Sequence, residues 1–226
     1  MVIKKIREAF NNLKSKNRFF VSEADFQASL TWELAQVFQD CPDVKIYREF
    51  PVRVYDTRWR TIYIDILVVA NGQRFPIELK YKTDRIESDD LYEDTGITIK
   101  DILRTQSAQD EGSYDCWKDI SRIEKLVDSG FAKSGIFICI ANDKYYWNGN
   151  CCENTLGYAF RMNPGAKYGG EYNWNLANCT VPEKLLTARP NLHIKNNYEF
   201  TWNDFYDMPA KNGLFKYLFV EIPGKE

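Results

Sequence analysis

The sequence is poor in the residues that most enzyme chemistries use first. It holds one histidine, His193, in 226 residues. Ser-His-Asp and Cys-His catalysis therefore have one candidate base, and nothing beside His193 in the Pro190–Asn197 stretch makes it one. Cys41, Cys116, Cys139, Cys151, Cys152 and Cys179 form no C-x-x-C pair, so a zinc finger has no ligand spacing. No apolar stretch reaches the roughly 18 residues of a membrane helix. Charges interrupt the apolar residues of Met1–Glu8, where a signal peptide would run unbroken. The expectation is a cytoplasmic chain with reduced thiols and no membrane partner. Charge of one sign is lacking too: 30 basic against 32 acidic residues leave −2. That excludes a histone-like coat and leaves room for a local basic groove. No internal repeat and no Pro- or Ser-rich linker cuts the chain, so one domain over residues 1–226 is expected.

Aromatic residues are abundant, at 15% of the chain. Eight of them, Tyr145, Tyr146, Trp147, Tyr158, Phe160, Tyr168, Tyr172 and Trp174, crowd one segment with Lys144, Arg161 and Lys167. They could stack bases or form an extra packed layer, and the sequence leaves both open.

Ile3, Ile6, Phe10 and Leu13 recur at helical spacing and predict a first helix ending near Lys16-Asn17. A second opens at Ser22 as N-cap, with Asp25 three residues on, and runs to about Asp40. Lys45–Tyr55 alternates as a strand, Asp56-Thr57-Arg58 is a turn, and Thr61–Ala70 is apolar on both faces, as a central strand is. Asn71-Gly72 marks a hairpin into Arg74–Lys82. After an acidic loop over Thr83–Thr95, helices are expected at Ile97–Gln109 and Tyr114–Ser129, broken at Asp110-Glu111-Gly112. A buried strand follows at Gly135–Ala141, and late strands at Tyr198–Trp202 and Leu214–Ile222.

The anomaly is Asp65, placed inside the most apolar run of the protein, Ile62–Val69. An ionised carboxylate there costs several kcal/mol unless something compensates it. Glu78 and Lys80, two apart, share one face of the next strand and can meet Asp65 across the hairpin. A buried ion pair explains one carboxylate and one lysine. The second carboxylate then needs a cation, and a magnesium ion with oxygen ligands supplies it. On the second helix Phe26, Leu30, Leu34 and Val37 form the apolar stripe, and Glu23 and Gln27 fall inside it. Glu33, at the stripe's edge, reads as the more ordinary charge.

Glu23 on a helix, Asp65 on a strand and Glu78-Leu79-Lys80 on the next strand resemble the PD-(D/E)xK, or restriction-endonuclease-like, nucleases. The resemblance covers about Ser22 to Ala141, in the order helix, three strands, helix, strand; Ile64 stands where the name-giving proline would be. It implies an α/β fold with a mixed sheet flanked by helices, a core over about residues 20–141 and an extension over 142–226. It implies Asp65, Glu78 and the Leu79 carbonyl as ligands of Mg2+, with Mn2+ as substitute. Lys80 would then orient and activate the attacking water, and Glu23 would help hold metal or water. From the third helix Gln106 would approach the site; Gln109 reads equally as a solvated residue. The implied activity is phosphodiester hydrolysis, in DNA above all, in defence, repair or mobile-element processing. Two alternatives stand: a nuclease-like module that binds nucleic acid or a protein partner without cutting, and an unrelated α/β protein with a structural Asp65–Lys80 pair. A homodimer is open.

Overall fold

A computed structural model describes residues 2–55, 59–149, 152–177, 179 and 183–225. The expected turn Asp56-Thr57-Arg58 and Cys151 lie outside the described residues. The chain forms α1 (Val2–Ser15), α2 (Glu23–Val37), β1 (Lys45–Tyr55), β2 (Trp59–Ala70), β3 (Gln73–Lys82), α3 (Gln109–Asp128) and β4 (Gly135–Ala141). A short α4 (Tyr145–Asn148), β5 (Lys167–Tyr172), α5 (Glu183–Ala188), β6 (Leu192–Glu199), β7 (Asn203–Tyr206) and β8 (Phe215–Ile222) complete it. The architecture is mixed α/β: one six-stranded mixed sheet ordered β1-β2-β3-β4-β8-β7, and a separate β5-β6 pair.

Local chemistry accounts for the first half. Ser22 Oγ accepts the Asp25 N–H at 3.1 Å and caps α2. Asp25 completes the turn by accepting from Val21 N–H rather than from Ser22. Asn71 and Gly72 both take positive φ, 51° and 72°, the two-residue turn that matches strand twist, and seat Ala70 opposite Gln73. Between β3 and β4, which run parallel, α3 supplies the crossover that parallel pairing requires.

The sheet has two differently covered faces. On one, Ile6, Phe10, Phe26, Leu30 and Leu34 of α1 and α2 pack on Ile66, Val68, Ile77, Leu79 and Ile138. On the other, Trp117, Ile120 and Ile123 of α3 meet Phe137 and Cys139 together with Phe160, Tyr168, Tyr172, Trp174 and Phe200. The aromatic segment is therefore chiefly a packed layer. Trp117 lies between Phe200 (4.8 Å between ring centroids) and Tyr172 (4.7 Å). The buried indoles of Trp117, Trp174 and Trp202 donate to the carbonyls of Phe160, Arg189 and Met162 at 2.8–3.0 Å. Six of the eight aromatics, Tyr146, Trp147, Phe160, Tyr168, Tyr172 and Trp174, are buried, which leaves them no base-stacking role.

Three sequence expectations need correction. The helix expected over Ile97–Gln109 is a single 3-10 turn, Ile99–Asp101, followed by an irregular stretch. Ile99 and Leu103 are buried from that irregular backbone, so helix-like spacing arose without a helix. Asp110-Glu111-Gly112 is the first turn of α3 rather than a break; acidic residues suit the positive end of a helix dipole. The strand expected at Tyr198–Trp202 shares only Tyr198 and Glu199 with β6 and stops short of β7, which begins at Asn203, and β5 lacked a detectable period. Among the described residues no helix is long and apolar enough to cross a membrane.

Candidate functional site

The site begins where two strands part. β1 and β2 stay paired along their length, from Lys45↔Val69 to Tyr55↔Trp59. β2 and β3 pair only from Ala70↔Gln73 to Ile66↔Ile77. β3 stays paired with β4 as far as Lys82↔Ala141. From Glu78 onward β3 therefore has one edge without a partner strand among the described residues, and its N–H and C=O groups must be satisfied otherwise.

Side chains named from the sequence satisfy that edge. Leu79 N–H donates to Asp65 Oδ2 at 2.6 Å, and Tyr81 N–H donates to Glu23 Oε2 at 2.8 Å. Lys80 Nζ donates to the Leu79 carbonyl at 2.9 Å, and Gln106 Nε2 donates to the Tyr81 carbonyl at 3.2 Å. Gln106 thus reaches the strand from the irregular stretch before α3 and not from a helix. Its own N–H donates to the Thr83 carbonyl at 2.9 Å, which fixes that stretch against the end of β3. Gln109 is the first residue of α3, and its Nε2 lies 3.4 Å from Asp143 Oδ2.

Gln27 ties α2 to the same split. It is buried, donates to the Asp65 carbonyl at 2.8 Å and to Glu49 Oε1 at 2.6 Å, and accepts from Arg48 at 2.6 Å. Its place inside the apolar stripe of α2 is explained by these bonds. The expectation for Glu33 needs correction: it is buried, with Lys16 Nζ 3.5 Å away, whereas Glu23 is an exposed residue whose carboxylate turns to the strand.

Two members were not named from the sequence. Asp119 and Arg122 lie one turn apart on α3, facing Glu78 and Lys80. Lys80 Nζ is 2.6 Å from Asp119 Oδ2, Arg122 Nη2 is 3.1 Å from Asp119 Oδ1, and Arg122 Nη1 is 2.8 Å from Glu78 Oε1. A signal for Asp119 was present: Cys116, Asp119, Ile123 and Leu126 form one helical stripe, and Asp119 is the charge inside it.

The electrostatics follow from burial and count. Glu23, Asp65, Glu78 and Asp119 place four carboxyls against two cations, Lys80 and Arg122. Burial pushes the Asp65 carboxyl up to about 6, against the pull of Lys80 and the Leu79 N–H. Glu78, 1% exposed, is pushed well above the carboxylate range by burial and by neighbouring Asp119. Burial would lower Lys80, but Asp119, Glu23 and Asp65 outweigh it and hold the ammonium above its ordinary value. Lys80 is a fixed cation here, so it can stabilise charge or hold a water and cannot serve as a base near neutral pH.

The donor set is all oxygen and carries surplus negative charge, the chemistry that suits a hard divalent cation. Asp65 Oδ1 has no hydrogen bond among the described residues, and Asp65 and Glu78 flank the same strand split. Glu78 here is held by Arg122, and among the described residues no group of three acidic, histidine or cysteine side chains is already gathered as a metal cage. The chain matches no family model, no curated protein and no solved structure.

Proposed function

We propose that the chain is a divalent-metal-dependent nuclease hydrolysing phosphodiester bonds in DNA, built on a restriction-endonuclease-like core. The observation that carries this reading is the parting of β2 from β3 at Asp65 and Glu78, with Glu23, Lys80 and Gln106 on the same free edge. The order α2-β1-β2-β3-α3-β4 is the order that the resemblance implies and supports it further.

Asp65, Glu78 and the Leu79 carbonyl would hold the metal. When bound, a magnesium ion polarises the phosphoryl group and lowers the pKa of a coordinated water. Lys80, protonated and anchored by Asp119, holds the attacking water or the developing negative charge. Glu23 keeps β3 in place through Tyr81 and adds an acceptor for water at the mouth of the split. Gln106 fixes the last carbonyl of the free edge, so it positions the strand.

One observation favours a second reading. Glu78–Arg122 and Lys80–Asp119 form a closed ion-pair network, which a module that binds without cutting would also retain. Incubating the protein with plasmid, linear duplex, single-stranded DNA and RNA, in magnesium and in EDTA, separates the two. Magnesium-dependent cleavage of DNA supports the nuclease; retention of DNA on a gel without cleavage in magnesium or in EDTA supports the binding module.

A further inference from the structure

Arg122 faces two demands that cannot be met together. Its guanidinium bridges Glu78 Oε1 at 2.8 Å and Asp119 Oδ1 at 3.1 Å. The Glu78 side chain is 1% exposed and that of Arg122 is 24% exposed, so solvent meets the guanidinium and not the carboxylate. A divalent cation on Glu78 would compete for the same carboxylate, and like charge would drive Arg122 away from it. Lys80 also touches a proposed ligand, the Leu79 carbonyl, but a carbonyl oxygen keeps a second lone pair for a metal. The other partner of Lys80 is Asp119 Oδ2, so of the two cations Arg122 is the one that holds a carboxylate proposed as a ligand. Once off Glu78, Arg122 would keep Asp119 as an anchor and present the free edge of a planar fork. That fork fits two oxygens of a phosphate.

We propose that Arg122 is a latch on Glu78 that divalent-cation binding releases onto the phosphodiester of the substrate, so that metal and phosphate bind this site cooperatively. The inference rests on the nuclease reading and adds a substrate-anchoring residue and a coupling to it. Metal binding alone has to displace the latch and is weak. With a phosphodiester present, the displaced arginine gains a partner, and by linkage each ligand tightens the other.

Manganese titration calorimetry on the full chain tests this, with and without a short single-stranded oligonucleotide carrying phosphorothioate linkages. Wild type is compared with Arg122→Lys and Arg122→Gln. The lysine variant keeps the charge but, as a point charge, cannot hold both carboxylates. It should therefore bind manganese alone about fivefold or more tightly than wild type, the low end of ordinary coupling. Both variants should bind the oligonucleotide more weakly at saturating manganese. Simple charge repulsion predicts instead that only the glutamine variant gains metal affinity, and that result overturns the latch while the nuclease reading stands. Unchanged oligonucleotide affinity in Arg122→Lys overturns the phosphate anchor in the same way. No manganese binding by wild type in either condition overturns the latch and the metal site together. Should Arg122→Gln fail to fold, the lysine variant decides the question alone.

Discussion

Replacing Lys80 by methionine removes one of the two cations that face four carboxyls. The side chain is 16% exposed and its partner Asp119 4% exposed, 2.6 Å apart, so the pair sits in a medium that screens poorly. Removing one partner of a buried pair costs about 3–5 kcal/mol, because the remaining charge is stranded. Arg122, 3.1 Å from the other Asp119 oxygen, offsets part of that loss. At about 2–4 °C per kcal/mol for a chain of this size, the melting temperature in EDTA should fall by roughly 6–20 °C. Manganese should restore much of it, since a divalent cation supplies the missing positive charge. Adding Asp119→Asn to Lys80→Met should also restore stability in EDTA, by removing the stranded carboxylate. In single-turnover digestion Lys80→Met should cut at least about 10²-fold more slowly, the scale of losing one electrostatic stabiliser. The melts are read by circular dichroism on one preparation. An EDTA melt equal to wild type would refute the buried-pair account, and unchanged cleavage would remove Lys80 from the reaction.

Three further expectations concern two residues of the site and one on the far part of α3. Because burial raises the Asp65 carboxyl to about 6, the folded chain binds that proton more tightly than the unfolded one. The associated stability, up to about 3 kcal/mol, is present below about pH 4 and is lost as pH rises toward 6. Wild-type minus Asp65→Asn melting temperatures in EDTA should decline over that window; a flat difference rejects the shift. Glu23→Gln keeps an acceptor for the Tyr81 N–H and loses the charge, so cleavage should drop less than for Lys80→Met. Wild-type activity in that variant would leave Glu23 with a strand-edge role alone. Glu124, buried on α3, accepts from Lys195 N–H, Asn196 N–H and Tyr198 Oη–H, each at 2.9 Å, and fastens β6 to the helix. Glu124→Leu should cost about 3 kcal/mol or more through stranded donors, with unchanged manganese affinity; loss of metal binding in a folded variant would contradict the separation of the two regions.

Much of this architecture was legible because hydrophobic period and turn chemistry agree in the first half. Lys45–Tyr55 and Gly135–Ala141 have the bounds that alternation and apolarity set, and Asn71-Gly72 fixed the register that brings Asp65 toward Glu78. The irregular stretch before α3 was misread because Ile99, Ile102 and Leu103 mimic a helical stripe while packing from a 3-10 turn and loop. β5 escaped because it pairs with a single neighbour across a register shift near Gly169-Gly170, which blurs alternation. In the site, buried charge inside an apolar run pointed to Asp65, and stripe position pointed to Glu23 and Gln27. Asp119 and Arg122 obey the same rule on α3, but their partners are far away in sequence, so pairing with Lys80 and Glu78 needed the fold. That Asp65, Glu23 and Gln106 replace a missing strand was beyond any local pattern, since it depends on where β2 leaves β3.

The central claim is that the split between β2 and β3 cuts phosphodiester bonds with a divalent metal. Asp65→Asn tests it most directly, because asparagine keeps an acceptor for the Leu79 N–H and removes the charge that metal needs. Wild type and variant are assayed side by side on plasmid in magnesium, with EDTA controls and melting curves from the same preparations. The account predicts cleavage by wild type, none in EDTA, and none by a folded Asp65→Asn. Cleavage by the variant at the wild-type rate would contradict it.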